Sequence, residues 1–235
     1  MPRPGRSGRR GSGIWCGRHS VHGPAARTRH ADRGLAATER FGFALAGGYA
    51  VQAHGFLTRR SEDVDLFTSA GGDFDAAVVA AVAAYRDAGL KVEMTLENPG
   101  FARLLVTDDD SCSVKIEMGV DWRAHPPVRL EIGPVLHPDD AVGNKVAALY
   151  GRAEVRDFVD VFAVLRSGRY GPDQLIGLAA NADPGFDAEM FATALSALGR
   201  IPDQALSLHG LDDDEIQKLR GCFRDWERSL RSSDG

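Results

Sequence analysis

The sequence has few cysteines, no long apolar run and no cysteine–histidine pattern. Its three cysteines are Cys16, Cys112 and Cys222. Because they are odd in number and far apart, they argue for reduced thiols in a cytoplasmic protein. No apolar run approaches the roughly 20 residues of a membrane span, and the basic N-terminus lacks the apolar segment of a secretory signal. No cysteine or histidine spacing indicates zinc. We therefore expect a cytoplasmic protein without a membrane partner.

Positive charge is scarce outside the N-terminal segment. The net charge of the 235 residues is −5, but residues 1–33 alone hold eight arginines and one acid, a balance of +7. The other 202 residues hold 20 bases and 32 acids, a balance of −12. An acidic body does not attract nucleic acid by its bulk charge. Contact with RNA would therefore depend on local basic patches or on the N-terminal segment.

Two glycines end the strand pattern of residues 43–46. This apolar run predicts a short strand, which stops at Gly47 and Gly48, and a short helical pattern follows. The backbone N–H groups of glycines at the start of a helix are not covered by a side chain, so they are a favourable place for a phosphate group. The alternative interpretation is that the two glycines only make a tight turn.

Two aspartates lie on the next predicted strand, residues 63–67. Alternate residues of a strand face the same side, so Asp63 and Asp65 share a face while Val64 and Leu66 point to the core. Adjacent carboxylates repel each other unless a cation lies between them, and Mg²⁺ binds through carboxylates and substrate phosphates. The alternative is a pair of solvated acids. A phosphate cradle followed by a metal-binding acid pair is typical of a phosphoryl or nucleotidyl transferase.

The order of these two features resembles the signature of the DNA-polymerase-beta-like nucleotidyltransferase superfamily. Three later elements resemble those of the AbiEii/AbiGii-toxin-type nucleotidyltransferases, which include the bacterial MenT-like toxins. The elements are Lys115-Ile116-Glu117, Gly143-Asn144-Lys145 with Ala148-Leu149, and Arg156-Asp157-Phe158-Val159-Asp160. The resemblance covers roughly residues 42–166.

Glu117 stands where the resemblance implies a third carboxylate on a neighbouring strand. There it would complete the metal site or accept the proton of the attacking hydroxyl. The family has a Lys-x-Asp element at this place, so the glutamate is a departure that lengthens the side chain by one methylene. The alternative is a cross-strand ion pair between Lys115 and Glu117 on an exposed face.

Lys145 and Asp160 lie on two successive predicted helices. In the family, the lysine at the position of Lys145 contacts the nucleotide triphosphate, and an acid of the closing Arg-Asp-x-x-Asp element lies close to it. A compact ammonium suits this contact because it opposes the charge that builds up as the phosphate bond breaks. The alternative is a structural ion pair, either Asp160 with Lys145 or Asp160 with Arg156. Both interpretations are compatible, since a lysine aimed at phosphates needs an orienting partner.

We expect an α+β fold, with a polymerase-beta-like nucleotidyltransferase core built on a mixed sheet with flanking helices. The expected divisions are a basic disordered leader (1–33), this core (34–137) and a helical C-terminal region (138–235). The alternative for the leader is a mobile basic arm that contacts nucleic acid. The resemblance implies a full helix before the glycine turn, but residues 32–41 predict only a weak one. Residues 128–135 predict one last strand.

The resemblance implies the transfer of a nucleoside monophosphate from an NTP to a hydroxyl, with pyrophosphate as the leaving group. RNA, and the 3′ end of tRNA in particular, is the expected acceptor, and the protein would be the toxin of a type IV toxin–antitoxin system with a cognate antitoxin as partner. Two Mg²⁺ ions are expected. The metal ligands would be Asp63, Asp65 and Glu117. The catalytic residues would be these three together with Lys145 and Asp160. The nucleotide would be contacted by Gly47, Gly48, Arg60, Ser61 and Lys145.

Two alternatives stay open. A small-molecule nucleotidyltransferase, such as those that modify aminoglycosides, fits the acidic body because a cationic drug would be attracted. A non-catalytic nucleotide-binding or antitoxin-binding module fits the glutamate at the third carboxylate position. The intact pair of Asp63 and Asp65, together with Lys145, argues against the second alternative.

Overall fold

The fold is seen in a computed structural model that describes residues 23–57, 61, 63–69 and 71–232. Within these residues, the helices and strands confirm the expected α+β class. In chain order they are α1 (Gly23–Thr38), a 3₁₀ turn (Glu39–Phe41), β1 (Ala44–Leu45), α2 (Gly47–Ala53), β2 (Val64–Thr68), α3 (Phe74–Asp87), β3 (Lys91–Asn98), β4 (Phe101–Thr107), β5 (Ser113–Val120), β6 (Val128–Leu130), β7 (Gly133–Val135), α4 (Pro138–Arg152), α5 (Val155–Arg166), α6 (Pro172–Ala182), α7 (Ala188–Ser196), a 3₁₀ turn (Ala197–Arg200), α8 (Asp203–Ser207) and α9 (Asp213–Ser232).

The strands form one mixed sheet in the order β3-β4-β5-β2-β1-β7-β6. The pairs β2–β5 and β1–β7 are parallel, and the other neighbours are antiparallel. Strand β1 has only two residues, Ala44 and Leu45, and both are fully buried. A two-residue strand forms few hydrogen bonds with any one neighbour, but β1 is paired on both sides, with β2 and with β7.

Strand β2 separates the core from the face that carries the acids. Val64 and Leu66 are fully buried, and the Leu66 side chain packs so close to α1 that a Cβ on Gly34 would lie 2.9 Å from it. Because side chains alternate along a strand, Asp65 points to the opposite face. The apolar face of the strand thus packs against the helix layer of α1 and α3, and the acidic face is turned toward α4.

Helix α1 corrects the expected disordered leader. It begins at Gly23 and packs against α3, so residues 23–33, which we expected to be unstructured, are helical. Residues 1–22 lie outside the described part of the chain. Helix α1 runs through residue 34, the start of the expected core, without a break. It is the full helix that the family resemblance implies before the glycine turn.

The small residues of α1 explain why the sequence pattern missed this helix. Ala31 is fully buried, and a Cβ on Gly34 would lie only 2.2 Å from the Tyr85 hydroxyl oxygen of α3. That hydroxyl donates a hydrogen bond to the carbonyl oxygen of His30, at 2.9 Å. Small residues allow the two helices to approach closely, but they contribute little hydrophobic periodicity to the sequence.

The predicted strand over residues 128–135 is in fact two strands, β6 and β7, joined as an antiparallel hairpin. Gly133 adopts a φ of +121°, a backbone conformation that side chains disfavour, and the chain reverses direction there. Strand β7 then pairs in parallel with β1, Val135 opposite Leu45.

The C-terminal helices pack around α4 and α5. Helix α6 lies so close to α4 that a Cβ on Gly143 would lie 2.7 Å from the carbonyl oxygen of Leu178. The ring of Phe158 in α5 meets Phe223 of α9 edge to face, at 5.2 Å between ring centres. Among the described residues, no helix combines the length and the apolar character that crossing a membrane requires.

The position of α1 leads to a stability prediction. Ala31→Arg would place an unpaired charge in a fully buried position, so it should lower the free energy of unfolding by about 3 kcal/mol or more. Ala36→Arg changes an exposed residue of the same helix and should stay within about 0.5 kcal/mol of the wild type. Urea unfolding of the three proteins measures both values. Equal stabilities for the two variants would show that α1 is not part of the core.

Candidate active site

A cavity of about 330 Å³ opens between the sheet and helices α4 and α5. Most of the residues singled out from the sequence line it, and they come from both the expected core and the expected C-terminal region. The lining includes the glycines Gly47 and Gly48, Ser61, the carboxylates Asp63, Asp65 and Glu117, and the cations Arg103, Lys115, Lys145, Arg152 and Arg156. Asp160 lies behind the cavity wall against Lys145, and Arg60 lies outside the described residues.

Three carboxylates meet because of the register between β2 and β5. The parallel pairing sets Asp65 directly opposite Glu117, and Asp63 precedes Asp65 by two residues on the same face. Burial, together with the neighbouring carboxylates of Glu117 and Asp63, raises the pKa of Asp65 to about 6. Ionising all three groups is therefore unfavourable in the absence of added positive charge, and their oxygens are the ligands that a divalent cation such as Mg²⁺ prefers.

Nearby cations reduce this repulsion. The Lys115 ammonium lies 2.8 Å from Asp63 Oδ2 and 3.2 Å from Glu117 Oε1. Arg103, which pairs across β4 and β5 with Glu117, donates its Nε–H to the same Glu117 oxygen at 2.9 Å. Arg156 of α5 brings a guanidinium nitrogen to 3.7 Å from Asp63 Oδ2. The ion pair between Lys115 and Glu117 that we weighed from sequence is thus present. It is not a cross-strand pair on an exposed face, because both residues belong to β5 and line the cavity.

The glycine turn is packed directly against one of the acids. Gly47 has a φ of +55°, and a Cβ there would lie 1.8 Å from Asp65 Oδ2. A Cβ on Gly48 would lie 3.0 Å from Ser61 Oγ, which itself donates a hydrogen bond to the carbonyl oxygen of Asp63. Any side chain at Gly47 would therefore displace the Asp65 carboxylate. This close approach is a reason for glycine here that does not depend on a phosphate ligand.

Lys145 is held by two buried acids on α5. It is only 7% exposed, and its Nζ lies 3.0 Å from Asp160 Oδ2 and 3.7 Å from Asp157 Oδ1. Arg152 closes the network with two hydrogen bonds to Asp157, of 2.7 and 2.8 Å. The structure contains the pair of Asp160 with Lys145, which is one of the two ion pairs that we considered for Asp160.

Sequence reasoning missed Arg103 and Arg152 in the lining of this cavity, and it missed Asp157, which is buried against Lys145 and Arg152. Arg103 becomes visible only when the register of β4 and β5 is known, because nothing in its own segment marks it. Arg152 follows Lys145 by two helical turns, so it shares the same face of α4. Asp157 belongs to the Arg-Asp-x-x-Asp element, where spacing alone pointed equally to either acid.

Comparison with solved structures gives the fold. JHP933 from Helicobacter pylori matches with a TM-score of 0.54 and 15% identity, over 89% of this chain and 93% of its own. Another H. pylori structure, described as that of a nucleotidyltransferase, matches with a TM-score of 0.58 and 17% identity, over 91% of this chain and 98% of its own. MenT4, the nucleotidyltransferase toxin Rv2826c of Mycobacterium tuberculosis H37Rv, has a TM-score of 0.49 and 17% identity, over 88% of this chain and 80% of its own. At these identities the two H. pylori matches, with TM-scores above 0.5, show a shared fold and nothing further.

Comparison with family models is more specific. The model described as "Nucleotidyl transferase AbiEii toxin, Type IV TA system" matches residues 35–234, a range that includes every described residue of the cavity. No curated protein matches the chain in sequence.

The raised pKa of Asp65 predicts how the metal-free protein responds to pH. Its value of about 6 lies above the ordinary 3.8, so the folded state holds this proton more tightly than the unfolded state. The resulting stabilisation is complete below about pH 4 and is lost as the pH rises through about 6. In the presence of a chelator, the free energy of unfolding of Asp65→Asn should therefore increase relative to that of the wild type as the pH rises over this range, by at most about 3 kcal/mol.

Urea unfolding at several pH values tests this expectation. Asp75→Asn removes one negative charge from an exposed position of α3 and controls for the change in net charge. If the difference between Asp65→Asn and the wild type does not grow with pH, or if Asp75→Asn shows the same growth, the three carboxylates do not repel each other as described.

Proposed function

The chain belongs to the AbiEii family of nucleotidyltransferase toxins of type IV toxin–antitoxin systems, and from this premise we propose that its cavity moves a nucleoside monophosphate from an NTP to a hydroxyl of RNA. Nucleotidyltransferases use a nucleoside triphosphate and a divalent metal. The protein is an enzyme of this class, and its family implies an antitoxin partner. The metal, the acceptor and the role of each residue are the parts that we infer.

The convergence of three carboxylates in one cavity carries this proposal. Asp63, Asp65 and Glu117 fit a divalent cation, because they supply oxygen ligands and because the pKa of Asp65 is raised by burial and by its two acidic neighbours. We assign these side chains as the ligands of Mg²⁺, with two ions expected. When bound, Mg²⁺ would supply positive charge that stabilises the charge developing on the entering and the leaving oxygen. Glu117 would complete this site or accept the proton of the attacking hydroxyl.

The opposite wall of the cavity supplies positive charge for the triphosphate. Lys145 offers a compact ammonium whose direction is set by Asp160, at 3.0 Å. Arg152 is fixed by its two hydrogen bonds to Asp157. Held cations of this kind oppose charge on the leaving pyrophosphate without having to reorganise as the reaction proceeds. Gly47, Gly48, Ser61 and Arg60 would complete the nucleotide site, with Arg60 assigned from sequence alone.

RNA, and the 3′ end of tRNA in particular, is the acceptor that we propose. Family membership supports an acceptor of this kind, but the balance of −12 over residues 34–235 opposes it. Few phosphate contacts would then hold the RNA, so binding should be weak, with a shallow salt dependence in proportion to the number of contacts. Arg59 and Arg60, which precede β2 in the sequence, are candidates for such contacts, and both lie outside the described residues.

Labelled nucleotides distinguish the possible reactions. The protein is incubated with Mg²⁺, purified tRNA and each NTP labelled at either the α or the γ phosphate. We expect label on tRNA from the α position only, because nucleotidyl transfer carries the α phosphate and releases the other two. Transfer from the γ position would indicate a kinase instead.

The same assay has two control arms. An aminoglycoside offered in place of tRNA tests the small-molecule alternative, which the acidic body favours, and label on the drug alone would overturn the proposal of RNA while leaving the enzyme class intact. Asp65→Asn should abolish the transfer without unfolding the protein. Full activity in this variant would refute the assignment of the carboxylates, and no label under any condition would favour a non-catalytic module.

Lys145 provides the sharpest test of the cationic wall. Lys145→Ala should abolish transfer and also lower the free energy of unfolding by about 3–5 kcal/mol, because it leaves Asp160 buried without this partner. Lys145→Arg keeps the charge and should recover much of the stability. It should not recover the rate, since a forked guanidinium does not replace a compact ammonium in a tight site.

Single-turnover rates and thermal melts on the same samples separate these effects. Lys218→Ala removes an exposed lysine that pairs with Asp214 on α9, and it should leave both measurements near the wild-type values. If Lys145→Ala and Lys145→Arg both lower stability but leave the rate of the folded fraction near the wild-type value, the lysine has only a structural role.

A further inference from the structure

Three side chains of metal-ligand type meet at the start of α4, away from the described lining of the catalytic cavity. They are His125 from the loop after β5, His137 immediately before α4, and Asp139 in the first turn of α4. One ligand atom from each lies within 4.8 Å of the other two. The two imidazole rings are stacked, with 4.3 Å between their centres and 26° between their planes. No spacing in the sequence indicates this cluster, because the fold brings the loop to the helix.

A buried carboxylate orients His125. Asp140 is 7% exposed, accepts the backbone N–H groups of Ala124 and His125 at 3.1 and 3.0 Å, and faces Nδ1 of the imidazole at 3.4 Å. When Nδ1–H donates to this carboxylate, the lone pair of Nε2 is free to bind a metal. Histidine ligands in metal sites commonly have such a carboxylate behind them, which sets the tautomer and the ring direction.

Asp139 is oriented in a similar way by Tyr170, from the loop between α5 and α6. The Tyr170 hydroxyl donates to Asp139 Oδ1 at 2.5 Å, while Oδ2 of the same carboxylate lies 3.7 Å from His137 Nδ1. Two ligand atoms of a tetrahedral Zn²⁺ are roughly 3.3 Å apart, so a small movement would bring these two atoms onto one ion. His137 Nδ1 now accepts the Asp139 backbone N–H at 3.3 Å, a contact that the ion would replace.

We propose that His125, His137 and Asp139 form a second metal site, which takes a divalent transition ion of the Zn²⁺ type with water in the fourth position. Two imidazoles and one carboxylate suit Zn²⁺, Co²⁺ or Ni²⁺, whereas Mg²⁺ prefers an all-oxygen set such as that of the catalytic cavity. The three side chains are each between 29% and 42% exposed, so water and the ion have access. Two carboxylates, Asp139 and Asp140, offset the unfavourable effect of the helix N-terminus on a cation.

A bound ion would fasten the loop after β5 to the helix that carries Lys145. The loop is already attached to α4 by the hydrogen bond from Asn144 to Asp121, at 2.8 Å, and by Asp140. The ion would add a third attachment at the first turn of α4. It would therefore stabilise the position of Asn144 and Lys145, which line the catalytic cavity, without contacting the substrate.

Metal titration of the full-length protein tests this site without using transfer activity. Protein stripped with a chelator is titrated with Zn²⁺, and separately with Co²⁺, while excess Mg²⁺ occupies the carboxylate cavity. We expect a single equivalent of Zn²⁺ by calorimetry, a higher melting temperature, and visible Co²⁺ absorption bands of a four-coordinate nitrogen and oxygen site. Tyr170→Phe removes only the donor behind Asp139, and it should weaken Zn²⁺ binding roughly 10- to 100-fold.

The variants separate the two metal sites. The double change His125→Ala with His137→Ala should abolish Zn²⁺ binding, and His125→Asn, at the most exposed of the three positions, serves if the double variant does not fold. Asp65→Asn is the matched control in the catalytic cavity and should bind Zn²⁺ like the wild type. The proposal is overturned if the wild type binds no Zn²⁺, if binding survives the loss of the histidines, or if it is lost with Asp65→Asn. Because none of these results requires catalysis, they stand or fall separately from the proposed function.

Discussion

Repulsion among Asp63, Asp65 and Glu117 is the constraint on which the rest of the cavity depends. The parallel register of β2 and β5 forces two of these carboxylates to face each other, and burial makes their charge more costly. Three cations of the site reduce this repulsion: Lys115 and Arg103 from the sheet, and Arg156 from α5. The metal-free cavity is thus a balance of opposite charges, and the proposed Mg²⁺ ions would shift that balance by adding positive charge at its acidic side.

The helical C-terminal region forms part of the cavity that is the candidate active site. Lys145 and Asp160 belong to the region that the sequence suggested should begin at residue 138, yet their ion pair forms the wall opposite Asp65. A buried lysine needs its acids before it can be aimed at a ligand. The packing of α4 on α5 therefore fixes the positions of the cations, as the strand register fixes the positions of the carboxylates. In both cases the fold holds charged groups at places where burial or repulsion disfavours them.

Patterns carried by large or alternating residues could be predicted from the sequence, and those that depend on close approach could not. The alternation in β2 placed the two aspartates correctly, and the family elements located Glu117 and Lys145. Helix α1 was missed because alanine and glycine pack against Tyr85 without leaving a hydrophobic period. Arg103 depends on a strand register, and the cluster of His125 with His137 depends on where a loop meets a helix. Such information lies in contacts between distant segments, which no local pattern contains.

The order of the elements along the chain has a consequence for the synthesis of the protein. A ribosome delivers the acid-bearing strands β2 and β5 well before helices α4 and α5, at about 5–20 residues per second. The central strand β1 must also wait for β7 before its second edge is paired. A nascent chain therefore displays its carboxylates first, without the buried lysine that faces them. The cavity can therefore be assembled only after α5 has left the exit tunnel, which is late in translation. A chain that is released before α4 has been synthesised lacks the complete site.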